Sequence, residues 1–496
     1  MEIALLAGIA TPLFFSFLIS LMSSKRTELF FPISVLGSTI PIATSVYLLM
    51  FGKIEGSFNN VLEIAWIKPY GINWFIGYDG ISLVMILLTT LLVPLALLSS
   101  SSSLRRSKGF LISILVLESA VMGVFTSADL LTFFLFFEAI LIPMYFIIGV
   151  WGGDNRKYAT IKFILYTVFG SIFMFAGIII TGLLVFQQFG YLAFDFQTVS
   201  ALVLSLPQQK TLFLLFTFAF AVKVPIFPFH TWLPDAHVEA PTAGSILLAG
   251  VLLKLGAYGL IRISVPFFTD AFLEYREHIA LLGVVGIIYG AVVAIPQNDI
   301  KKLVAYSSVS HMGFIVLGIA SGTVIGMQGA VFQMINHGIT TGALFMLVGF
   351  LYDRRHTRNM SEFGGVKTVM PLYASTFLIA SLASIGLPGF NGFVGEFMIL
   401  IGSYETYNIY TAISALGVVF AAIYMLWAYQ KIFTGEIREE KNKNLSDLNL
   451  REKLSITPLL LLMIIIGVYP YLIEQFINFD VLHIAKIIQI SISGAS

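Results

Sequence analysis

The sequence predicts an all-α polytopic membrane protein with about fourteen transmembrane helices. Hydrophobic residues occupy 58% of its 496 positions and charged residues only 11%, proportions that exclude a soluble domain. Apolar runs recur along the whole chain, and each is long enough for a helix rising about 1.5 Å per residue to cross a hydrocarbon core of about 30 Å.

Short polar segments separate the predicted spans. We expect the first span to be a retained helix rather than a signal peptide, because its basic residues, Lys25 and Arg26, follow it. The longest polar segment, Gly435 to Lys453, is too short for a folded unit and predicts a charged surface loop. The spans cover residues 1–22, 29–51, 79–100, 110–127, 129–150, 161–186, 211–233, 241–263, 279–297, 301–320, 324–350, 371–403, 408–433 and 456–478.

The chain contains no cysteine. This composition excludes disulfides, iron–sulfur ligation by this chain and covalent c-type haem attachment. No Walker A sequence or dinucleotide-type glycine fingerprint is present, so nothing supports ATP-driven transport. We therefore expect any redox chemistry to belong to a partner.

Lysine and arginine fall mostly on one side of the predicted membrane. Twenty of the 28 lie in the connections after odd-numbered spans, which we expect to face the cytoplasm or matrix. An even number of spans then places both termini outside. The opposite side holds only Lys53, Lys68, Lys210, Arg262 and Arg276, and the C-terminal tail holds Lys486.

The two remaining basic residues, Lys223 and Lys254, fall inside spans. An ammonium at mid-bilayer costs roughly 2.5 to 3.5 kcal/mol, so we expect these lysines to mark an ion or proton pathway. Glu138 lies among phenylalanines in another span and is the natural partner of Lys223. Buried together, each group would control the protonation of the other, as a proton gate requires. The alternative is a structural ion pair that ties two helices together.

Two spans are predicted to be broken beside an ionisable residue. Pro225 and Pro228 follow Lys223, and a cluster that includes Gly386 and Pro388 precedes Glu396. Glu138 and Lys223 are 85 residues apart, as are His311 and Glu396. Matched breaks of this kind are typical of transporters built from inverted five-helix repeats. Proline and glycine are, however, also common in ordinary membrane helices.

Other intramembrane residues are candidates for the same pathway. Lys254 lies too deep to reach an interface easily, and His311 and His337 belong to the residue type that most readily relays protons near neutral pH. Either histidine could instead be a hydrogen-bonded structural group, and facing imidazoles could ligate a b-type haem. Glu118 is a further mid-span carboxylate and a possible relay.

Long motifs resemble the antiporter-like membrane subunits of respiratory complex I, the NADH-quinone oxidoreductase. The resemblance covers essentially the whole chain and is strongest to the M type (NuoM/NdhD), the equivalent of mitochondrial subunit 4. Glutamate at position 396 favours this type, because the N-type and Mrp subunits usually carry lysine there. The motifs are YDGISL, FFEAILIPMYFIIGVWGG, KVPIFPFHTWLPDAHVEAPTAGSILLAGVLLKLGAYGLIR, DIKKLVAYSSVSHMGF, INHGITTGALFMLVGFLYDR and GLPGFNGFVGEFMIL.

The resemblance implies a proton-pumping subunit with two inverted five-helix repeats and two broken helices. It assigns six residues to the proton pathway: the coupled pair Glu138 and Lys223, the connecting Lys254, the central His311 and His337, and the terminal Glu396. The implied segments are 1–109, a three-helix segment; 110–263 and 279–433, the repeats; and 434–496, a cytoplasmic loop and C-terminal helix.

The resemblance also implies partners. Other membrane-arm subunits, including further antiporter-like subunits, would surround this chain together with membrane lipids, and nothing implies nucleic acid. FMN, iron–sulfur clusters and quinone would be held by partner subunits and no cofactor by this chain. The expected location is a bacterial cytoplasmic membrane or, alternatively, the mitochondrial inner membrane. Alternative functions are a subunit of a Na⁺/H⁺ antiporter or membrane-bound hydrogenase, or a structural spacer of the membrane arm.

Overall fold

A computed structural model of the protein describes residues 1–52, 58–67 and 72–494. Lys53 and Lys68, which the count of basic residues assigns to the outer side, lie outside these residues. The described part of the chain is helical apart from one β-hairpin, and the predicted all-α membrane class is confirmed.

The first part of the chain forms fourteen helical segments and the hairpin. These are α1 Glu2–Leu21, α2 Thr27–Phe51, β1 Asn59–Ile67, β2 Ile72–Tyr78, α3 Gly80–Ser99, α4 Ser102–Arg105, α5 Lys108–Thr126, α6 Leu130–Ala139, α7 Leu141–Trp151, α8 Arg156–Phe189, α9 Phe196–Ser200, α10 Leu206–Lys223, α11 Trp232–Glu239, α12 Thr242–Leu247, α13 Leu253–Gly259 and α14 Val265–Phe267. Two π-helical turns, Leu248–Leu252 and Leu260–Ser264, join α12, α13 and α14 into one span, 242–267.

The second part begins with a helix that starts ten residues before the predicted span at 279. The helices are α15 Thr269–Ala294, α16 Ile300–Ser321, α17 Val324–Arg355, α18 Val366–Val369, α19 Pro371–Ser384, α20 Asn391–Tyr404, α21 Asn408–Phe433, α22 Leu450–Val468 and α23 Tyr471–Gly494, with 3₁₀ turns at Met360–Glu362 and Glu440–Asn442. The predicted start at 279 was wrong because the charged residues before it are also helical. Ion pairs stabilise these charges in the first turns of α15, for example Glu274 with Lys210 at 2.7 Å.

Both predicted helix breaks are confirmed. Helix α10 ends at Lys223 and α11 starts at Trp232, so Pro225 and Pro228 fall in the gap. Helix α19 ends at Ser384 and α20 starts at Asn391, with Gly386 and Gly389 at φ of 77° and 94°. Each break lies in the fourth helix of its predicted repeat. The segment boundaries at 109, 263, 279 and 433 stay a prediction.

The last predicted span, 456–478, was wrong as a single helix. Helix α22 stops at Val468 and α23 starts at Tyr471, after Pro470. Helix α23 is long and apolar enough to cross a membrane, but its contacts lie at the starts of three other helices: Asp480 accepts from Ile81 N at 3.0 Å, Asn478 accepts from Gln328, and Ser491 donates to Asp270. The helix therefore lies across the end of the bundle at which α3, α15 and α17 begin.

Two further features differ from the predictions. The segment Gly435 to Lys453 is not all surface loop, because α22 starts at Leu450 and Glu452 is buried there, where both its oxygens accept from Arg354 at 2.7 Å. The antiparallel hairpin of β1 and β2 was not predicted. Alternation of branched and aromatic residues in INWFIGY, 72–78, was a signal for it.

The centre of the bundle consists of helices that are buried on all sides. Every residue of α17 from Gly326 to Leu351 is buried, and so is nearly all of the span 242–267. Helices α1, α2 and α8 instead expose rows of apolar side chains. Helices α15 and α16 pack backbone to backbone, since a Cβ on Gly313 would lie 2.6 Å from the Gly283 carbonyl. Polar groups on the central helices are thus shielded from lipid.

Candidate functional site

Lys223 is the last residue of α10, at the edge of the first helix break. Its side chain is 1% exposed, and Nζ has no hydrogen-bond partner among the residues that the structure describes. The ammonium lies 4.9 Å from the ring centre of Phe137 and 5.6 Å from that of Phe163. Aromatic faces stabilise the charge only in part. Lys223 is therefore a buried amine held between two aromatic rings, with its hydrogen-bonding capacity unused in the described part of the chain.

The predicted ion pair of Glu138 with Lys223 is not formed in this structure. Glu138 is half-buried, and its carboxylate accepts a hydrogen bond from the Ser171 hydroxyl on α8. Adjacent helical residues point about 100° apart, so Glu138 turns away when Phe137 faces the lysine. The structure thus shows the pair separated.

Lys254 lies between the two π-helical turns of its span and is fully buried. Its Nζ donates to the Ala249 carbonyl within the first π-helical turn and lies 2.6 Å from His337 Nδ1 on α17. π-Helical turns inside α-helices are frequent at functional sites. A Cβ on Gly256 would lie 2.7 Å from the Phe220 carbonyl of α10. The helices of Lys223 and Lys254 therefore meet backbone to backbone.

From His337 the polar contacts continue to Glu396. The ring centres of His337 and His311 are 5.8 Å apart, and His311 Nδ1 lies 2.8 Å from Glu396 Oε1. The same carboxylate oxygen accepts from Gln333 Nε2 at 3.0 Å. Whether each ring nitrogen donates or accepts in these contacts depends on the tautomer of the imidazole. Lys254, His337, His311 and Glu396 form a continuous row, which we call the central row.

The second helix break borders the central row. A Cβ on Gly386, at φ 77°, would lie 3.0 Å from Glu396 Oε2, so the glycine permits both the turn and the close approach of the carboxylate. Asn391, the first residue of α20, accepts hydrogen bonds from Asn336 at 2.7 Å and Thr340 at 3.3 Å. The broken helix is thereby fastened to α17 beside Glu396.

A small cavity lies among the histidines and the second break. Its volume is about 10 Å³, and its lining includes His311, His337, Thr340 and Ser384. That volume is close to the minimum for one water molecule, so the site suits a hydrated proton path and is far too small for a haem between the histidines. Sequence reasoning missed Ser384, Gln333 and Asn391, because serine and amides in membrane helices usually indicate packing contacts.

Glu118 stands apart from the central row. It lies on α5 and is fully buried, and within the described part of the chain neither of its carboxylate oxygens has a hydrogen-bond partner. The structure gives no contact between Glu118 and the other candidate residues.

A buried charged cluster near the start of α3 was not predicted. Arg262, which the count of basic residues placed at the end of the predicted span 241–263, lies in the second π-helical turn and is only 7% exposed. It pairs with Asp79, whose other oxygen accepts from Ser82 N at 2.9 Å and so caps α3. The motif YDGISL carried this signal, since Asp before an apolar run is typical of a helix start.

Asp129 lies between the membrane-spanning helices and caps α6, the helix that carries Glu138. Its carboxylate accepts from Thr132 N at 2.7 Å, and the side chain is 1% exposed. Burial raises the pKa of Asp129 to about 6, because hydrogen bonds from Thr132 offset only part of the lost hydration. This acid therefore titrates in the mildly acidic range.

Comparisons with known proteins agree on one family. The family described as NADH:quinone oxidoreductase/Mrp antiporter, TM matches residues 127–423. The chain is 44% identical over 453 residues to NADH-quinone oxidoreductase subunit M of Rickettsia prowazekii (strain Madrid E), covering 90% of this chain and 91% of the relative. It is 41% identical over 465 residues to NADH-ubiquinone oxidoreductase chain 4 of Marchantia polymorpha, covering 93% of each. It also matches a chain of respiratory complex I from Thermus thermophilus with bound NADH, with a TM-score of 0.89 and 31% identity over 98% of this chain and 99% of that one.

Proposed function

Because the chain belongs to the NADH:quinone oxidoreductase/Mrp antiporter transmembrane family, we propose that it is the proton-translocating, antiporter-like M-type subunit of an NADH-quinone oxidoreductase. The observation that carries this proposal is the central row, in which a lysine, two histidines and a glutamate follow one another inside fully buried helices. Ionisable groups in contact inside a membrane are rare and mark ion pathways.

Each group in the row has a proton-carrying role. Lys254 Nζ releases a proton to His337 Nδ1, at 2.6 Å, and the imidazole passes a proton onward from its other nitrogen. His311 Nδ1 delivers a proton to Glu396 Oε1, at 2.8 Å. The small cavity beside the histidines suits a water that joins the two rings. Protons thus move along the centre of the bundle from one broken helix to the other.

Lys223 and Glu138 control the movement of protons into the central row. In the separated arrangement no described residue forms a hydrogen bond with Lys223 Nζ, so its charge is poorly compensated and its proton is driven toward Lys254. When Glu138 swings toward it, the ammonium is stabilised and the proton is retained. A movement in a neighbouring subunit that joins or separates the pair would couple distant redox energy to transport. Glu118 is a possible relay toward such a neighbour.

The proposal places the redox chemistry outside this chain. FMN, iron–sulfur clusters and quinone would belong to partner subunits, and this chain would contact further membrane-arm subunits and lipid through the exposed apolar faces of α1, α2 and α8. The proposed location is the bacterial cytoplasmic membrane or, alternatively, the mitochondrial inner membrane.

The test is redox-coupled pumping by the native complex in proteoliposomes. NADH-driven quinone reduction should acidify the lumen with wild-type complex, and Lys223→Ala should abolish most of the acidification while the complex stays assembled. Lys210→Ala is a matched control, because Lys210 lies on the same helix and forms a surface ion pair with Glu274 at 2.7 Å. Such surface pairs contribute little to stability.

Two other outcomes would replace the proposal. A complex without redox subunits that exchanges Na⁺ for protons would make the chain an antiporter subunit, and reduction of protons to hydrogen would place it in a membrane-bound hydrogenase. Loss of assembly in Lys223→Ala and Glu138→Ala with no separable pumping defect would instead assign a structural spacer.

A further inference from the structure

Ser171 of α8 has two hydrogen-bond partners, and one of them is the carboxylate of Glu138. The serine is 3% exposed, and its hydroxyl lies within hydrogen-bond distance of Glu138 Oε1 and, at 2.9 Å, of the Thr167 carbonyl. A serine in a membrane helix commonly donates to the carbonyl four residues before it. That ordinary role accounts for the contact with Thr167 but not for the contact with Glu138.

The Ser171 hydroxyl can hold Glu138 whether or not the carboxyl group carries a proton. A hydroxyl donates one proton and accepts through two lone pairs. When Glu138 is ionised, Ser171 Oγ donates to the carboxylate. When Glu138 is protonated, its O–H donates to Ser171 Oγ, and the serine proton goes to the Thr167 carbonyl. The contact therefore needs no cation and survives a change in the protonation of Glu138.

Ser171 also lies beside the place where α8 and α10 pack most closely to the first helix break. A Cβ on Gly170 would lie 3.2 Å from Val222 Cβ. The residues that follow these two in the chain are Ser171 and Lys223. The two competing partners of Glu138 are thus carried by neighbouring positions at one helix contact.

Two polar contacts fasten α8 to the second half of the broken helix. Lys162 Nζ lies 2.7 Å from Asp235 Oδ2 on α11, and Tyr166 OH lies 2.7 Å from the hydroxyl of Thr231, which precedes α11. Helix α8 therefore presents Ser171 from a fixed position relative to the break, while the Glu138 carboxylate is at the end of a flexible side chain.

We propose that Ser171 is the positioning residue that holds Glu138 apart from Lys223. The inference deepens the proposed function and rests on it. Opposite charges attract strongly in low dielectric, so without a competing partner Glu138 would stay paired with the lysine. A hydrogen bond to an ionised group is stronger than one between neutral groups. Ser171 thereby brings the separated arrangement close enough in free energy for a neighbouring subunit to shift the population between the two.

The test compares Ser171→Ala, which removes the hydroxyl, with Ser171→Thr, which keeps it, in the intact complex reconstituted in proteoliposomes. The control is Thr181→Val, because Thr181 is fully buried on the same helix and donates to the Gly177 carbonyl at 2.8 Å. The first readout is the lumen acidification per NADH oxidised. The second is the infrared absorption of carboxyl groups, in which the difference between wild type and Glu138→Gln identifies the Glu138 band.

We expect Ser171→Ala to lower the acidification per NADH about fivefold, the change in population that follows the loss of one ordinary hydrogen bond. The Glu138 band should shift in this variant. Ser171→Thr should restore both readouts, and Thr181→Val should change neither.

Unchanged pumping or an unshifted Glu138 band in Ser171→Ala would overturn the proposal. An equal loss in Ser171→Thr or in Thr181→Val would overturn it as well, because packing alone would then explain the effect. Absence of redox-coupled pumping in wild type would instead refute the proposed function, while the infrared band would still report whether Ser171 holds Glu138.

Discussion

His311 Nδ1 and Glu396 Oε1 lie 2.8 Å apart, joining residues that are 85 positions apart in the chain. Glu138 and Lys223 have the same separation and occupy the corresponding helices of the first predicted repeat, yet they are not paired. The two matched sites are therefore in different states within one structure: the second is closed and the first is open. In the proposed function such an asymmetry prevents a proton leak, because the two sites are not open at the same time.

Two substitutions of Glu396 should distinguish the contribution of its charge from the contribution of its hydrogen bonds. Glu396→Gln keeps an acceptor for His311 and Gln333, so the complex should assemble normally while NADH-driven pumping falls roughly a hundredfold, in line with the loss of a positioned proton-transfer group. Glu396→Ala removes the acceptor as well, and the unpaired buried groups should lower stability by about 1 to 3 kcal/mol. Pumping in proteoliposomes and the thermal dissociation of the complex are the measurements.

Glu405→Gln is the matched control for charge alone, since Glu405 follows the same helix and is exposed. Normal pumping in Glu396→Gln would mean that the carboxylate of the closed site does not exchange protons.

Replacing Lys254 should interrupt the central row at its start. Lys254→Met preserves the length and volume of the side chain but leaves His337 Nδ1 without its partner at 2.6 Å. We expect pumping to fall at least roughly tenfold, with assembly retained because methionine suits an apolar span. Lys254→Arg keeps a charge that cannot be released, and it should be as inactive as the methionine variant. A functional arginine variant would show that the charge at this position, not proton release, is what matters.

Sequence reasoning identified the ends of the pathway better than its connections. Lys223, Lys254 and Glu396 could be found because a charge inside an apolar run is conspicuous, and prolines or glycines mark the helix breaks. The separation of Glu138 from Lys223 could not be predicted. It depends on the orientation of Phe137, which is set by packing against α8 and α10. Helix α23 was missed because the predicted span 456–478 ran through Pro470 and the residues after 478 were assigned to a tail; its contacts with the starts of other helices show that it lies across them.

The buried pair of Arg262 and Asp79 should behave as a unit. Arg262→Leu leaves the carboxylate of Asp79, which is 1% exposed, without its partner, and should destabilise the subunit by roughly 3 to 5 kcal/mol. The double variant Arg262→Leu with Asp79→Asn removes both charges of the pair and should recover only part of that loss, because the buried carboxylate of Asp480 also loses Arg262 as its counter-charge. The measurement is the temperature at which this subunit dissociates from the purified complex. Equal losses in the single and double variants would contradict the assignment.

Asp129 should make the stability of the α6 helix start depend on pH in the opposite sense to an acid whose pKa an ion pair lowers. Its pKa is about 6 in the folded protein and 3.8 as an ordinary aspartate. The folded state thus binds more protons between these values, so stability is greatest below pH 4 and falls as pH rises to 6, by about 3 kcal/mol in all. Asp129→Asn keeps a side-chain oxygen for Thr132 N but cannot ionise. Relative to this variant, the wild-type dissociation temperature should therefore drop between pH 4.5 and 7; a difference that stays constant with pH would mean that Asp129 is ionised in the folded protein throughout this range.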